Sequence, residues 1–528
     1  MQPQGYVLLV LHAHLPYLRH PEDPDALELH WLYQAITECY LPLLEVMERL
    51  EAEGVPFPLT LSLSPTLIAM LADPLLQQRY EEHLERLIAL CDREVARTAR
   101  HGPIHATAQY YQHLLRRRRR QWHRYQGDLL GAWAGLWQRG RIELITTAAT
   151  HGLLPLLAAE PAAVRAQLRV GLQAFQRAFG HRPPGIWLPE CGYYPGLEAE
   201  LGRLGLRYCF LETHALLAAE PAPPHGVHAP VEVGSGVAAF ARDPECSRQV
   251  WSSREGYPGD FAYREYYRDV GFDLRPEELK PCLHPEGHRI ATGLKYYRIT
   301  GPTDQKEPYD PAAGLQTADR HAGHFLWCRE RQVEYLAPRL GRPPAVLAPF
   351  DAELFGHWWF EGPAWLEMLA RKAHFDTRIW AFTTPSRYLA QHPPTHGAQP
   401  PLSTWGDGGY CDYWCNGENH WVWRHLHRQS ARMAALAARY AGAPADSPTG
   451  RMLRQAGREL LLAQGSDWPF ILRSGTQVEY ARRRLLTHLG HFHHLARALE
   501  QGEGPPEWLP EAEAAACCFP DLDPAVFA

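Results

Sequence analysis

Residues 345–359 read AVLAPFDAELFGHWW, and this stretch decides the fold class. The apolar run Ala345–Leu347 is typical of a buried strand, and it leads into Asp351, Glu353 and two tryptophans. A second acid, Glu190, closes the similar segment GIWLPE at residues 185–190. Glycosidic chemistry needs two carboxylates, because one handles the leaving oxygen and the other handles the anomeric carbon. Acids at the ends of core strands therefore indicate a sugar-cleaving pocket.

Strand-like runs recur along the chain, with helical patterns such as Trp31–Ala52 and Pro161–Phe179 between several of them. These runs are Tyr6–Leu11, Leu59–Ser64, Ile142–Thr147, Gly185–Leu188, Tyr208–Leu211, Val237–Ala241 and Ala345–Pro349. Strands that alternate with helices predict an α/β fold with a mostly parallel sheet, and this number of strands favours a barrel. Polar residues follow the strands, as expected for an active site at the C-terminal face of a barrel. They are His12, His14, His151, Glu190, Glu212, His214 and Asp351.

Three regions are predicted from changes in pattern. Residues 1–400 are expected to form the catalytic barrel, with 74–139 as an inserted helical subdomain, and 401–528 to form a C-terminal helical domain that contributes to the substrate groove. The C-terminal helices are predicted at His420–Tyr440, Met452–Leu462 and Gln477–Leu499, with Gly465–Arg473 as a separating segment and the tail Gly502–Ala528 running over the surface.

Composition excludes several classes of partner. A formal net charge of −6 and a pI near 6.6 give no reason to expect nucleic acid, and no apolar run has the length of a membrane span. The first apolar run is better explained as a strand than as a signal segment, so we expect a soluble cytoplasmic protein. The 11 cysteines are odd in number and mostly scattered, which favours reduced thiols over disulfides or zinc.

The run Arg116–Arg120 is interpreted as a solvated helix face rather than an anion site.

His12 and His14 have two interpretations. A His-x-His pair at a strand end is a frequent half of a metal site, which Asp351 or His151 would complete, as in metal-dependent deacetylases or mannosidases. Neutral imidazoles also serve as hydrogen-bond partners for sugar hydroxyls, and we favour this second role. The acid that partners Glu190 is also open at this level, because Asp351 and Glu353 lie on one face of an extended segment.

Aromatic residues near the acids favour a glycan groove, because their flat faces stack on pyranose rings. The chain has 17 tryptophans, and those that flank the acids are Trp187, Trp251, Trp358, Trp359, Trp405, Trp414 and Trp468. The Gly- and Pro-rich segment 250–260 is predicted to be a mobile loop at the rim. Asp467 either caps a helix or binds a sugar.

Five segments together resemble glycoside hydrolase family 57, above all the 1,4-α-glucan branching enzymes within it. They are HAHLPY at residues 12–17, ATHG at 149–152, WLPECGY at 187–193, PFDAELFGHWW at 349–359 and SDWPF at 466–470. The resemblance covers nearly the whole chain in the right order. It implies an incomplete (β/α)7 barrel with an inserted helical domain and a C-terminal helical domain, and a catalysis without metal or other cofactor.

The resemblance also implies roles for single residues. Glu190 matches the family nucleophile and Asp351 the general acid/base of a retaining mechanism, with α-1,4-glucan as both donor and acceptor. The residues expected to line the glucan subsites are His12, His14, Trp31, His151, Trp251, Trp358, Trp405, Trp414, Asp467 and Trp468. The loop Trp251–Tyr263, with Tyr257 as its key side chain, is the candidate that holds the acceptor.

Other functions remain as alternatives. An α-amylase or a 4-α-glucanotransferase would use the same chemistry with little branching, and a glucan-binding protein without catalysis is a further alternative. The sequence departs from the family pattern in a short stretch between Tyr194 and Tyr208, in the segment Pro21–Leu29 and in the cysteines of Cys411–Cys415. These departures concern the acceptor side, and hence the ratio of transfer to hydrolysis.

Overall fold

A computed structural model describes residues 2–252, 255–280 and 282–528. Across these residues the chain forms nine β-strands. They are β1 Gly5–Ala13, β2 Thr60–Leu63, β3 Glu143–Ile145, β4 Gly185–Ile186, β5 Tyr208–Leu211, β6 Val231–Gly234, β7 Val237–Ala241, β8 Ala345–Asp351 and β9 Trp380–Phe382. All the predicted strand runs are confirmed, with ends shifted by at most two residues. β6 and β9 were not predicted, because they are short and begin outside any long apolar run.

The strands form two sheets. The first has the order β3-β2-β1-β8, with β9 also pairing β1, and all of its pairs are parallel. The second has the order β4-β5-β7-β6, in which β6 alone is antiparallel to its neighbour. In the first sheet, His12 of β1 lies opposite Ser62 of β2 and Asp351 of β8. This register brings three polar side chains to one edge.

Single-residue bridges connect the two sheets at both sides. Thr146, which follows β3, is bridged in parallel to Ile186 of β4, and Arg242, which follows β7, is bridged in parallel to Leu347 of β8. The bonds involved are Trp187 N–H to the Thr146 carbonyl and Asp243 N–H to the Leu347 carbonyl, each 2.9 Å long. The result is a mixed α/β fold with parallel strands, in which single bridges rather than full ladders connect the sheets.

Helices surround these sheets and make up the C-terminal region. The helices up to β8 are α1 Leu29–Gln34, α2 Leu41–Ala52, α3 Pro65–Leu71, α4 Pro74–Arg97, α5 Gly102–Tyr125, α6 Leu129–Gln138, α7 Leu154–Leu157, α8 Pro161–Phe179, α9 Leu197–Arg203, α10 Thr213–Leu217, α11 Pro244–Trp251, α12 Val270–Asp273, α13 Pro276–Leu279 and α14 Pro311–Leu340. Those after β8 are α15 Gly362–Phe375, α16 Pro385–Gln391, α17 Trp421–Arg439, α18 Pro448–Ala463, α19 Asp467–Ser474, α20 Val478–Gln501 and α21 Leu509–Ala515. A π-helix, Ala35–Tyr40, joins α1 to α2.

The predicted helices between residues 74 and 139 are present as α4, α5 and α6, and the long C-terminal helices as α17, α18 and α20. The segment Gly465–Arg473 separates α18 from α20 as predicted, and most of it is helix α19. The tail Gly502–Ala528 has many exposed residues, but it also contains α21 and buries Leu522 and Phe527, which pack over Gly457 of α18.

Within the described residues, no helix combines the length and the apolar character that crossing a bilayer requires.

Candidate active site

Glu190 is held by hydrogen bonds on both of its carboxylate oxygens. It lies in a 3₁₀ turn, Pro189–Cys191, directly after β4, and its backbone is left-handed with φ +58°. The Trp405 indole N–H donates to Oε2 at 2.5 Å, and the Ser466 hydroxyl donates to Oε1 at 2.6 Å. Glu190 as a whole is 7% exposed. A non-glycine residue held at positive φ stores strain that the surrounding contacts must offset, and such residues cluster at functional sites.

A chain of hydrogen bonds leads from β2 to Glu190. Ser62 Oγ lies 3.0 Å from His12 Nδ1, and His12 Nε2 lies 3.0 Å from His151 Nε2. His151 Nδ1 then lies 2.8 Å from Ser466 Oγ, whose proton goes to Glu190. Because the carboxylate only accepts, every bond in this chain points toward Glu190 when both imidazoles are neutral. Burial, and then the charges of nearby histidines, lowers the pKa of both His12 and His151, so the neutral forms are favoured.

The C-terminal helical region supplies two residues to this edge. Ser466 N–H donates to the His151 carbonyl at 3.1 Å, and Gly465 is bridged to Gly152. This backbone contact places Asp467 beside His14, whose Nε2 lies 3.1 Å from Oδ1. Burial opposes the charge of His14, but the Asp467 carboxylate outweighs it and raises the pKa of His14. His14 and Asp467 thus form an ion pair at the site.

Asp351 differs from Glu190 in its surroundings. It is the last residue of β8 and is partly exposed, and its carboxyl group has no hydrogen-bond partner among the described residues. Burial, followed by the negative charges of Glu353 and Glu190, raises the pKa of Asp351 to about 8. A carboxyl group with such a pKa holds its proton at neutral pH and is able to donate it.

Glu353 lies behind Asp351 as a third buried carboxyl group. Its Oε1 accepts from the Tyr40 hydroxyl at 2.5 Å and from the His14 N–H at 3.2 Å. Burial raises the pKa of Glu353 to about 7. Glu353 is therefore hydrogen-bonded within the protein, whereas the carboxyl group of the partly exposed Asp351 is not, which favours Asp351 in the choice that the strand pattern left open.

Several contacts in this site were not foreseen. Arg242 follows β7, lies 5.0 Å from the centre of the Trp405 ring and pairs with Glu212 at 3.1 Å. Its position directly after a predicted strand was a signal that could have found it. Ser466 begins the SDWPF segment of the family resemblance and precedes the predicted Asp467, but it was not itself predicted as a site residue. Tyr40 lies in a helical segment that gave no functional signal.

Four of the predicted aromatic residues either lie close to Glu190 or are at least partly exposed to solvent. Trp405 contacts Glu190 directly, and Trp251, the last residue of α11, meets its ring edge-on at 6.4 Å. Trp358 is 53% exposed and stacks on Tyr266 at 4.3 Å. Trp31 is partly exposed and meets the ring of the buried Tyr480 edge-on at 5.8 Å. Residues 253 and 254 of the predicted rim loop lie outside the described residues.

Three predicted substrate-binding residues are instead packed in the core. Trp414 is 1% exposed and Trp468 is 2% exposed, with the Trp468 indole donating to the Leu462 carbonyl. Tyr257 is 8% exposed, and its hydroxyl lies 2.8 Å from His324 Nδ1 on α14. Their large apolar area is removed from water by the protein itself, so their predicted contact with a ligand is not supported by this arrangement.

The arrangement of the histidines suits hydrogen bonding better than metal ligation. His12 and His151 direct nitrogen atoms at each other and at the hydroxyls of Ser62 and Ser466, rather than at a common central point. Among the described residues, one group of three side chains could hold a metal ion, because their ligand atoms all lie within 4.8 Å of one another. It consists of His284, Glu286 and His288. That group lies in another segment, between α13 and α14.

Comparison with known proteins identifies the family. The sequence profile of glycosyl hydrolase family 57 matches residues 8–397, and a profile described as the C-terminal region of 1,4-alpha-glucan branching enzyme matches residues 425–527. The chain is 35% identical to the 1,4-alpha-glucan branching enzyme TK1436 of Thermococcus kodakarensis, over 94% of this chain and 74% of that protein.

Solved structures agree with the profiles. The alpha-amylase AmyC of Thermotoga maritima superposes with a TM-score of 0.93 at 40% identity, covering 99% of each chain. The family 57 branching enzyme of Pyrococcus horikoshii superposes with a TM-score of 0.88 at 33% identity, covering 99% of this chain and 97% of that one. On the evidence of profile, sequence and fold, the chain belongs to glycosyl hydrolase family 57.

Proposed function

We propose that this protein is a retaining 1,4-α-glucan branching enzyme, with Glu190 as nucleophile and Asp351 as general acid/base. The observation that carries the proposal is the contrast between these two acids. Glu190 accepts a hydrogen bond on each oxygen, while Asp351 has a raised pKa and no hydrogen-bond partner among the described residues. Two carboxyl groups in environments this different are what an acid and a nucleophile need.

The reaction follows from these environments. Protonated Asp351 donates its proton to the glycosidic oxygen while a Glu190 oxygen bonds to the anomeric carbon, so that the C–O bond breaks and a glucosyl ester forms. Asp351, now ionised, accepts the proton of an attacking hydroxyl. That hydroxyl displaces Glu190 and restores both acids. A 6-hydroxyl of another α-glucan gives an α-1,6 branch, whereas water gives hydrolysis.

Neighbouring residues support each step. Trp405 and Ser466 hold the Glu190 carboxylate in place, and the neutral His12 and His151 keep Ser466 oriented toward it. The His14–Asp467 pair offers a charged hydrogen-bonding edge to sugar hydroxyls. The aromatic residues proposed to contact donor or acceptor glucan are Trp31, Trp251, Trp358 and Trp405.

The proposal extends to architecture. We treat the two sheets as arcs of one incomplete (β/α)7 barrel, which is supported by the single bridges at Thr146–Ile186 and Arg242–Leu347. Residues 1–400, with the insertion 74–139, are proposed as the catalytic unit, and 401–528 as the unit that delivers Ser466 and Asp467.

A reducing, cytoplasmic location is proposed because the structure contains the cysteines as free thiols.

An α-amylase is the second candidate. It is favoured by the 40% identity to AmyC, which exceeds the identity to the Pyrococcus horikoshii branching enzyme. The matched branching-enzyme C-terminal profile favours the first candidate. Both candidates share the two acids and differ in the acceptor.

One experiment separates them. Purified protein is incubated with amylose while iodine absorbance, reducing ends and α-1,6 protons are followed together, with Glu190→Gln and a chelator as controls. Branching predicts falling iodine colour and rising α-1,6 signal with few new reducing ends, loss of both in Glu190→Gln, and no effect of the chelator. A rise of reducing ends without α-1,6 signal would identify a hydrolase and reject the branching proposal.

A further inference from the structure

A cavity of about 770 Å³ lies between α2, α5, α14 and α15, apart from the proposed catalytic residues. No residue proposed to contact glucan is among its described lining residues. Its volume is in the range of small-molecule sites. The walls carry Arg49 of α2, Arg371 of α15, and four members of the run Arg116–Arg120 on α5.

The arginines of this cavity outnumber the carboxylates that pair with them. Glu45 alone is shared by Arg118 at 2.7 Å, Arg117 at 3.3 Å and Arg49 at 3.4 Å. Glu367 is shared by Arg49 and Arg371, each at 2.8 Å. Guanidinium groups that crowd around one carboxylate repel one another, so an additional anion at this place would lower the free energy.

Two basic residues of the wall have no acidic partner. Arg116 is paired with Asp92 at 2.9 Å and Arg371 also with Glu53, whereas Arg120 and His113 have no carboxylate within ion-pair distance among the described residues. His113, Arg116 or Arg117, and Arg120 are three or four residues apart, so they share one face of α5. On this face, Arg120 presents to the cavity a guanidinium group that has no acidic partner among the described residues.

The acids at the inner wall do not cancel this charge. Glu38 pairs with Arg264 at 3.2 Å and lies 2.7 Å from His357 Nδ1. Glu361 accepts from the Tyr309 hydroxyl at 2.5 Å, and burial raises the pKa of its carboxyl group. One oxygen of Glu361 and Nε of Arg118 are buried without a hydrogen-bond partner. The inner wall is thus internally paired apart from these atoms, and the excess charge remains with the arginines.

Apolar side chains complete the walls. Tyr110 and Phe360 are partly exposed, and Leu315 and Met368 lie among the same lining residues. A ligand that fits must therefore combine an anionic group with a less polar body. Guanidinium forks match the oxygens of a phosphate in bidentate geometry, which a neutral glucan does not offer.

We propose that this cavity binds a small phosphate-bearing metabolite, of the sugar-phosphate or nucleotide class, at a site separate from the glucan-cleaving acids. The prediction of a solvated helix face agrees with the exposure of Arg117 and Arg120, but these two side chains also line the cavity, whereas Arg119 does not. Its side chain pairs with Glu85 at 3.2 Å, and it is not among the lining residues. Arg119 is therefore a matched control within the same run.

The test is a titration of the purified full chain by isothermal calorimetry at constant ionic strength. The ligands are glucose 1-phosphate, adenosine diphosphate and inorganic phosphate, with potassium chloride as the ionic control. We expect saturable binding of at least one phosphate compound, weakened about tenfold or more in Arg120→Gln and Arg117→Gln and unchanged in Arg119→Gln. If an organic phosphate binds more tightly than inorganic phosphate, the apolar lining residues also contact the ligand. If inorganic phosphate binds equally tightly, the site recognises the phosphate group alone.

Arg120→Gln protects the test against loss of folding, because Arg120 forms no ion pair with any described residue that its replacement would break. Melting curves of all three variants check this point. The proposal is overturned if no phosphate compound binds above the chloride control, or if Arg119→Gln weakens binding as much as Arg120→Gln. Neither result depends on the branching activity, since the readout is binding alone.

Discussion

Trp405 makes two hydrogen bonds with Glu190, one from its backbone and one from its ring. The backbone N–H donates to the Glu190 carbonyl at 2.9 Å, and the indole N–H donates to Oε2 at 2.5 Å. The first bond fixes the loop of Trp405 to the 3₁₀ turn of Glu190, and the second fixes the carboxylate within that frame. A single residue therefore sets both the backbone and the side-chain position of the proposed nucleophile.

Replacing Trp405 by Phe should slow turnover on amylose by about tenfold to a hundredfold, because the change removes one charge-assisted hydrogen bond but keeps an aromatic ring. The measurement is kcat and KM with wild type and variant side by side. Trp421→Phe is the control, since its exposed indole donates to the Glu418 carbonyl away from the acids. An unchanged kcat in Trp405→Phe would mean that the indole does not position Glu190.

Replacing Asp351 by Ala should lower kcat on amylose by roughly 10²–10⁴-fold, the usual contribution of general acid/base catalysis. An activated substrate such as 4-nitrophenyl α-maltoside, whose leaving group needs no proton, should lose much less in the step that forms the glucosyl enzyme. Burst kinetics of nitrophenol release checks this difference. Equal losses on both substrates would argue against Asp351 as the acid.

The pH profile should report the proton on Asp351. Because Asp351 must be protonated in the first step, kcat/KM should fall as pH rises through about 8. The charged groups facing Asp351 are Glu353, Glu190, Arg242 and His14. Glu353→Gln removes a negative charge beside Asp351, so that Asp351 ionises more easily. The descending limb of the kcat/KM profile should therefore move to lower pH.

Glu418→Gln is the control for this shift, because Glu418 is exposed and pairs with Arg473 at 2.9 Å. Its profile should coincide with that of the wild type. If the Glu353→Gln profile also coincides, Glu353 does not act on Asp351 through its charge.

Asp351→Asn should stabilise the folded protein, and the gain should grow with pH. The folded state raises the pKa of Asp351 from 3.8 to about 8, so it binds the proton more tightly than the unfolded chain does. Stability of the wild type is therefore lost as pH rises between these two values, whereas the amide of Asn is unaffected. Melting temperatures of both proteins from pH 4 to pH 8 test this, and a difference that does not change with pH would contradict the raised pKa.

The sequence was a good guide to strands and to strand-end acids, because buried strands leave apolar runs and polar residues stand out where those runs end. Glu190 was singled out in this way, whereas Asp351 and Glu353 remained alternatives until the family resemblance favoured Asp351. The sequence pattern did not indicate which aromatic residues are buried. Trp414 and Trp405 look alike in sequence, yet one is 1% exposed and the other is bonded to Glu190. That difference depends on contacts between segments distant in the chain.

Contacts between segments that are distant in the chain also explain other differences between the sequence analysis and the structure. Ser466 gains its role only because the backbone of the C-terminal region is bonded to His151, 315 residues away in sequence. Tyr257 was the side chain proposed for the acceptor loop, and the structure places its hydroxyl 2.8 Å from His324 Nδ1 on α14, a contact that the sequence of its own segment does not indicate. The same limitation applied to Arg116–Arg120, since only the packing of α5 beside α2 and α15 shows which of these arginines line a cavity.

The two proposed acids belong to different sheets, which single-residue bridges connect. Glu190 follows β4 of the second sheet and Asp351 ends β8 of the first. The distance between the two proposed catalytic carboxyl groups therefore depends on how the two sheets are placed relative to each other. The geometry of either sheet alone does not determine it. Sliding of the sheets at Thr146–Ile186 or Arg242–Leu347 would change that distance, so we expect substitutions at these junctions to affect the proposed reaction even though the bridges themselves are backbone contacts.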